Sequence, residues 1–286
     1  MLLLHRVSLC LMALTLLCLM AISLVDGHRA RTSGVARYIP SCKRATSACL
    51  LQPEETEGPY YWDSSVRSNI TEGKEGVPLT LKLTVVNVDD CEPIYNASIS
   101  LWHCDALGMY SHYTAAGAGG LSDSSPAKDN TTFLRGIQFT DADGLATFLT
   151  IFPGHYVSRD THIHLKVHIN GTTVHTGQLF FNESLNDAVN ALSPYNTNPD
   201  TRTQLDEDSI YTGTENASYG LLSDVQFVDE AGSYSGGLVA ALALGVSTSS
   251  SASPSPSPTG TGQGNSETSC GSRLAVSLPL VTSVIL

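Results

Sequence analysis

Leu79-Thr80-Leu81-Lys82-Leu83-Thr84-Val85-Val86 alternates apolar and polar residues before ending on two valines, the period of a strand with one face buried. Comparable patterns extend on the C-terminal side, at Ala97 to His103, Phe133 to Thr140, Leu145 to Phe152, Thr161 to Ile169 and Val174 to Phe181. Turn-forming Asp141-Ala142-Asp143-Gly144 separates two of them. Short strands at this spacing predict a mainly β chain, an antiparallel β-sandwich or barrel. One helix is expected over Ser184 to Leu192, capped by Ser184, with Leu185, Ala188, Val189 and Leu192 along one side. The Asp-x-Asp-Gly turn is not a calcium loop. Aligning Gly144 with the invariant EF-hand glycine leaves Phe139 at the first ligand position and Thr150 where a bidentate Glu is needed, so a hairpin turn is expected.

The ends of the chain differ from this middle. Residues 1–27 open with His5 and Arg6, run apolar from Leu9 to Leu24 and close on small residues near Gly27, the pattern of a secretory signal peptide. Residues 28–48 read as a basic leader, and 49–230 as a single β domain. Residues 231–273 read as a Ser/Pro/Gly-rich linker, since Ser247 to Ser266 holds too little apolar surface to fold. The hydrophobic tail 274–286 is too short for an ordinary membrane span; with small residues near Gly264 before it, it reads either as a lipid-anchor signal or as a frayed end. Sequons at Asn69, Asn96, Asn130, Asn170, Asn182 and Asn216 agree with export, giving a secreted or cell-surface glycoprotein. Cys10 and Cys18 leave with the signal; Cys42, Cys49, Cys91 and Cys104 are expected to form two disulfides in one of three pairings, with Cys270 apart in the linker. With 15 Lys+Arg against 27 Asp+Glu, the chain has no basic stripe to hold phosphates, which excludes nucleic acid as an expected partner.

The chemistry gathers at Thr161-His162-Ile163-His164-Leu165-Lys166-Val167-His168. In an extended strand His162 and His164 leave the same face ~7 Å apart, while Ile163, Leu165 and Val167 face the core. A bare His-x-His is more often plain polar alternation than a metal site. The upstream Phe152-Pro153-Gly154-His155-Tyr156-Val157-Ser158-Arg159-Asp160 changes that weight, because a Pro-Gly turn can return Tyr156 and Arg159 to the histidines. A phenolate is a hard anionic ligand suited to Fe(III), and an arginine nearby would face developing negative charge. Taken singly, Tyr156 could cap a core edge and Arg159 could form a surface ion pair.

Three blocks together resemble the intradiol ring-cleavage dioxygenases, in particular secreted fungal-type members: Thr56-Glu57-Gly58-Pro59-Tyr60-Tyr61; Leu101-Trp102-His103-Cys104-Asp105-Ala106-Leu107-Gly108-Met109-Tyr110-Ser111; and Phe133-Leu134-Arg135-Gly136 through Phe152 to Tyr156 and on to His164. The resemblance implies a non-haem Fe(III) held by Tyr110, Tyr156, His162 and His164. It assigns Arg159 to charge on the bound substrate, Gln178 to a position near the cleaved carbon, Pro59 and Tyr60 to the substrate pocket, and Tyr156 to proton transfer. The implied reaction inserts O2 into a small catechol-like aromatic substrate between its hydroxylated carbons, leaving a muconate-type diacid. The chain departs from classical bacterial members in the Gly/Ala/Ser-rich stretch Ala115 to Ala127, in His155 where proline is frequent, and in lacking their helical N-terminal region. Other histidines (His103, His112, His168, His175) and Trp102 read as structural. Two rival readings are a non-catalytic extracellular β-sandwich that binds a glycan or wall polymer, and a copper histidine-brace oxidase that would use His28 as a new N-terminus.

Overall fold

The computed structural model describes residues 49–119 and 128–248. Its strands are β1 (Pro78–Asn87), β2 (Ser98–Trp102), β3 (Arg135–Phe139), β4 (Leu145–Ile151), β5 (His162–Ile169), β6 (Thr172–Phe181), β7 (Leu221–Leu222), β8 (Val225–Phe227) and β9 (Leu238–Val246). One sheet runs β4-β1-β9-β8 and the other β3-β2-β5-β6-β7. The inward residues of β1 (Leu79, Leu81, Leu83, Val85) meet Ile99 and Leu101 of β2, Ile163, Leu165 and Val167 of β5, and Leu179 and Phe181 of β6 in one continuous core. This is the mainly β sandwich that the alternation predicts.

Three features correct the expected scheme. First, the sheets are mixed: β9 lies parallel to β1, with Leu81 opposite Ala240, and β7 lies parallel to β6. A strand arriving from the far end of the domain has no hairpin to dictate antiparallel pairing. Second, β9 falls inside 231–273, so the linker reading is corrected over residues 231–248. Ala241, Ala243 and Gly245 blunt the polar alternation of Leu238–Val246. Both neighbours of β9 are strands, as its place between β1 and β8 requires. Third, Asp141 to Gly144 is a tight turn, with Asp141 Oδ1 accepting from the N–H groups of Asp143 and Leu145 at 2.9 Å, but it is not a hairpin within one sheet. It carries the chain from β3, an edge of one sheet, to β4, an edge of the other. Residues 65–70 then bond along both edges, through Arg67 N–H to Ile137 O at 3.0 Å and Ile70 N–H to Leu149 O at 2.9 Å, so neither edge is left open there.

Helix α1 (Glu183–Asn190) starts one residue before the expected position, and Asn182, not Ser184, is its N-cap; Asn182 makes no side-chain capping bond. Ser184 sits exposed in the first turn, while Leu185, Val189 and Leu192 pack on the core as their spacing requires. A second short helix, α2 (Ser209–Gly213), is capped by Asp208.

Cys49 and Cys91 form a disulfide across a sequence separation of 42, tying the start of the domain to the turn after β1. Cys104 is a buried free thiol, which corrects its expected place in a disulfide. It lies in an aromatic cluster with Tyr60, Trp102, Tyr110 and Tyr156, and its thiol donates to Gly154 O at 3.5 Å. The signal peptide, the leader with His28 and Cys42, the remainder of the linker, Cys270 and the anchor-like tail lie outside the described residues.

Candidate metal centre and active site

Strand β5 builds the site because both of its faces are covered. Ile163, Leu165 and Val167 enter the core, while His162 and His164, each 1% exposed, leave the other face under a roof of loops. The register places Trp102 and Gln178 directly across from His164 on the two flanking strands. Trp102 stacks on the His164 ring, with centroids 5.0 Å apart and planes within 5°. Trp102 is therefore part of the core and also the wall behind His164.

The two tyrosine-bearing loops interlock. Asp105 organises the first: its Oδ1 accepts from Leu107 and Met109 N–H at 3.0 Å, and Lys74 Nζ lies 2.6 Å from its Oδ2. The backbone oxygen of Asp105 also receives the N–H of Gly154 at 3.1 Å, tying the Tyr110 loop to the Tyr156 loop. At Gly108, φ is +81° and a Cβ would lie 2.4 Å from His155 O, so only glycine permits this approach. Below them Arg135, 1% exposed, donates to Tyr60 O at 2.6 Å and to Ser111 Oγ and O, both at 2.8 Å. That clamp holds Tyr60 flat against Tyr110, centroids 4.2 Å apart and planes within 3°.

Four polar side chains meet at one atom. His162 Nε2 lies 3.1 Å from His164 Nε2, 3.2 Å from Tyr156 Oη, 3.5 Å from Tyr110 Oη and 3.3 Å from Arg159 Nη1. His162 Nδ1 stands 2.6 Å from Asp160 O, which assigns the proton to Nδ1 and leaves Nε2 a bare lone pair facing the cluster. His164 Nδ1 is buried without a hydrogen-bond partner among the described residues, so stacking rather than a hydrogen bond orients that ring. Among the described residues no group of three or more His, Cys, Asp or Glu is arranged for a metal. The donor set is two imidazoles with two phenols.

The electrostatics suit a cation. Burial first, then Arg159, holds His162 well below the usual imidazole range; burial first, then His162, does the same to His164. Both are therefore neutral, the form that ligates metals. Burial raises the phenols of Tyr110 and Tyr156 well above their ordinary value, with Arg159 pulling against it. They keep their protons until a highly charged ion offers a better partner. The residues present thus fit a hard trivalent ion.

Arg159 closes the cluster. Its Nε donates to Asp208 Oδ2 at 2.8 Å, Nη2 to Gln178 Oε1 at 2.5 Å, and Nη1 reaches Tyr156 Oη at 3.4 Å. Gln178 is held in turn by its amide, which donates to Thr56 O at 3.2 Å. The structure so brings together Tyr110, Tyr156, Arg159, His162, His164 and Gln178, with Tyr60 stacked beside them, whereas Pro59 stands exposed at its turn. Residue-by-residue reading assigned no role to Asp105, Arg135 or Asp208. Asp208 alone had a local signal, an Asp preceding Ser-Ile at a helix start.

A family model described as Dioxygenase matches residues 56–205. A solved intradiol ring-cleavage dioxygenase from Tetranychus urticae is 35% identical, covering 71% of this chain and 98% of its own, with a TM-score of 0.64. A second solved dioxygenase is 34% identical over the same shares, with a TM-score of 0.62. A curated catechol 1,2-dioxygenase of Acinetobacter lwoffii is 32% identical over 110 residues, 36% of this chain and about a third (32%) of that protein. The fold and the matched segment define a dioxygenase. More narrowly, the chain belongs to the intradiol ring-cleavage dioxygenase family.

Proposed function

We propose that this chain is a secreted, Fe(III)-dependent enzyme that opens catechol-type rings between their two hydroxylated carbons, incorporating both atoms of O2 into a muconate-type diacid. The observation that carries the reading is the convergence of Tyr110, Tyr156 and His164 on the His162 Nε2 lone pair. Those four side chains would hold the ion. Bound there, Fe(III) supplies the Lewis acidity that makes a chelated catecholate ring reactive toward O2. The kinship with a catechol 1,2-dioxygenase supports that substrate class.

The protein's own groups divide the remaining work. Tyr156 Oη, within reach of Arg159 Nη1, is placed to accept a proton from an entering catechol hydroxyl. Arg159, fixed by Asp208 and Gln178, presents a positive charge to the negative charge that develops on the substrate. Tyr60 and Trp102 shut water out from two sides, both being nearly inaccessible themselves. Export is supported by the signal-peptide pattern of residues 1–27, by the Cys49–Cys91 disulfide and by sequons on exposed Asn69, Asn96, Asn130, Asn170 and Asn216. The tail 274–286 supports a lipid anchor at the cell surface.

The test is turnover of catechol by ferric-loaded full chain under isotopically labelled O2. A diacid product carrying two labelled oxygens is expected. A ring opened beside, rather than between, the hydroxylated carbons, or no labelled product, overturns the proposal.

A further inference from the structure

Glu54 and Glu55 are neighbours that face opposite ways. Glu54 is exposed, and its carboxylate takes His175 Nδ1 at 2.9 Å and Thr176 N–H at 3.1 Å. Glu55, fixed to β6 by its N–H on Thr176 O at 2.9 Å, turns inward and is 5% exposed. Both of its carboxyl oxygens are sealed from solvent, and among the described residues neither has a hydrogen-bond partner. Native proteins rarely leave a carboxyl so, and each such group needs an explanation.

Its surroundings supply one. The Arg159 guanidinium and the backbone N–H of Gln178 favour a charged Glu55, although neither comes into hydrogen-bond geometry with it. Asp208 at the cap of α2 and Glu54 on its own segment oppose that charge. Tyr211 of α2 also feels it, since Glu55 adds to the rise of that phenol after burial. Burial decides the balance and pushes the Glu55 carboxyl up to about 8. Arg159 already has an anionic partner in Asp208 at 2.8 Å, so a second anion would leave the group net negative beside the site.

We propose that Glu55 is a positioning residue that acts through Arg159: as a neutral buried acid held on β6 it packs near the Arg159–Gln178 pair without adding a second negative charge to the Arg159–Asp208 pair. The role rests on the ring-cleavage reading above. When Glu55 ionises, Arg159 is drawn between two carboxylates and its hold on the charge developing near Tyr156 weakens. Tyr110 and Tyr156, as phenolates, would offset most of the charge of a bound ferric ion, so the acid remains governed by its burial and by Arg159.

Two measurements on the full chain test this. Infrared pH titration with labelled glutamate, with and without iron, should show a protonated-carboxyl band at pH 7 that fades near pH 8 and is missing from Glu55→Gln; absence of the band from the wild type at pH 7 overturns the proposal. The pH profile of kcat/KM for catechol should step down about tenfold to a lower plateau across the Glu55 ionisation in the wild type, and should lose that step in Glu55→Gln. Identical alkaline profiles in two active proteins also overturn it while sparing the ring-cleavage reading. No turnover by either protein, with the band in place, removes both, and the band tells that failure from the first.

Discussion

Replacing Asp208 by alanine should both loosen the fold and disarm the site. The Asp208 side chain is fully buried, and its carboxylate receives Arg159 Nε and Asp160 N–H on Oδ2, each at 2.8 Å, with the N–H groups of Ile210 and Tyr211 on Oδ1 at 2.9 and 3.3 Å. Breaking a buried ion pair from one side costs about 3–5 kcal/mol, because the other charge stays behind. The lost cap adds about 1 kcal/mol. The Arg159 side chain keeps 13% exposure and its bond to Gln178, so water and the amide recover part of this. A net loss of about 4 kcal/mol follows, or roughly 10 °C in Tm at ~2–4 °C per kcal/mol for a domain of this size. Asp208→Asn keeps one acceptor oxygen for the cap and should lose about half as much. Thermal unfolding by circular dichroism reads the stability, and kcat/KM for catechol should fall about a hundredfold as Arg159 drifts. Iron content should not change, since no donor to the ion is touched. A Tm within ~2 °C of wild type together with kcat/KM within about twofold would show that Asp208 neither holds α2 nor fixes Arg159.

Gly58 has φ +73°, and a Cβ there would stand 3.2 Å from His164 Cε1. Gly58→Ala should therefore cost ~1–2 kcal/mol in backbone strain and displace the ring, seen as a shifted visible spectrum of the iron-loaded protein. Opening the Cys49–Cys91 disulfide by Cys49→Ser releases a loop with separation 42; the chain-entropy estimate is about 4 kcal/mol, read as a lower urea midpoint. For pH, Glu55 is raised from 4.5 to about 8, so across that window the folded chain holds a proton that the unfolded chain has released. Its contribution to stability falls as pH rises from 4.5 to 8, and the difference in unfolding free energy between wild type and Glu55→Gln should shrink or change sign over that span; a pH-independent difference would contradict it.

The sequence made β1, β2 and β5 legible because each sends alternate apolar residues into the core, Leu79, Leu81, Leu83 and Val85 from β1, Ile99 and Leu101 from β2, and Ile163, Leu165 and Val167 from β5; β3, β4 and β6 were readable from their β-forming residues and flanking turns rather than from a clean alternation. It did not reveal β9, whose alanines and glycine blur the alternation and whose partner β1 is remote in the chain. Strands β7 and β8, two and three residues long, are too short for any period to show. At the site, the His162-Ile163-His164 spacing and the Pro-Gly turn before Tyr156 were readable locally. Tyr110 and Gln178 entered only through family resemblance, since neither local spacing nor composition ties them to His164. Arg135, Asp208 and Glu55 had no signature of a role at the site, because the partners that give them their roles are remote in the chain: Tyr60 and Ser111 for Arg135, Arg159 and Asp160 for Asp208, and Thr176 of β6 for Glu55. Cys104 misled for the same reason: a cysteine count cannot tell a thiol packed among tyrosines from one awaiting a partner.

The most direct test is iron analysis with a visible spectrum of the full chain expressed through a secretory route. A centre built from the two tyrosines and two histidines should give stoichiometric ferric iron and a tyrosinate charge-transfer colour that shifts on adding catechol and fades in Tyr156→Phe. Protein that stays colourless after ferric loading, or that binds iron with no tyrosinate band, would contradict a centre built from Tyr110, Tyr156, His162 and His164.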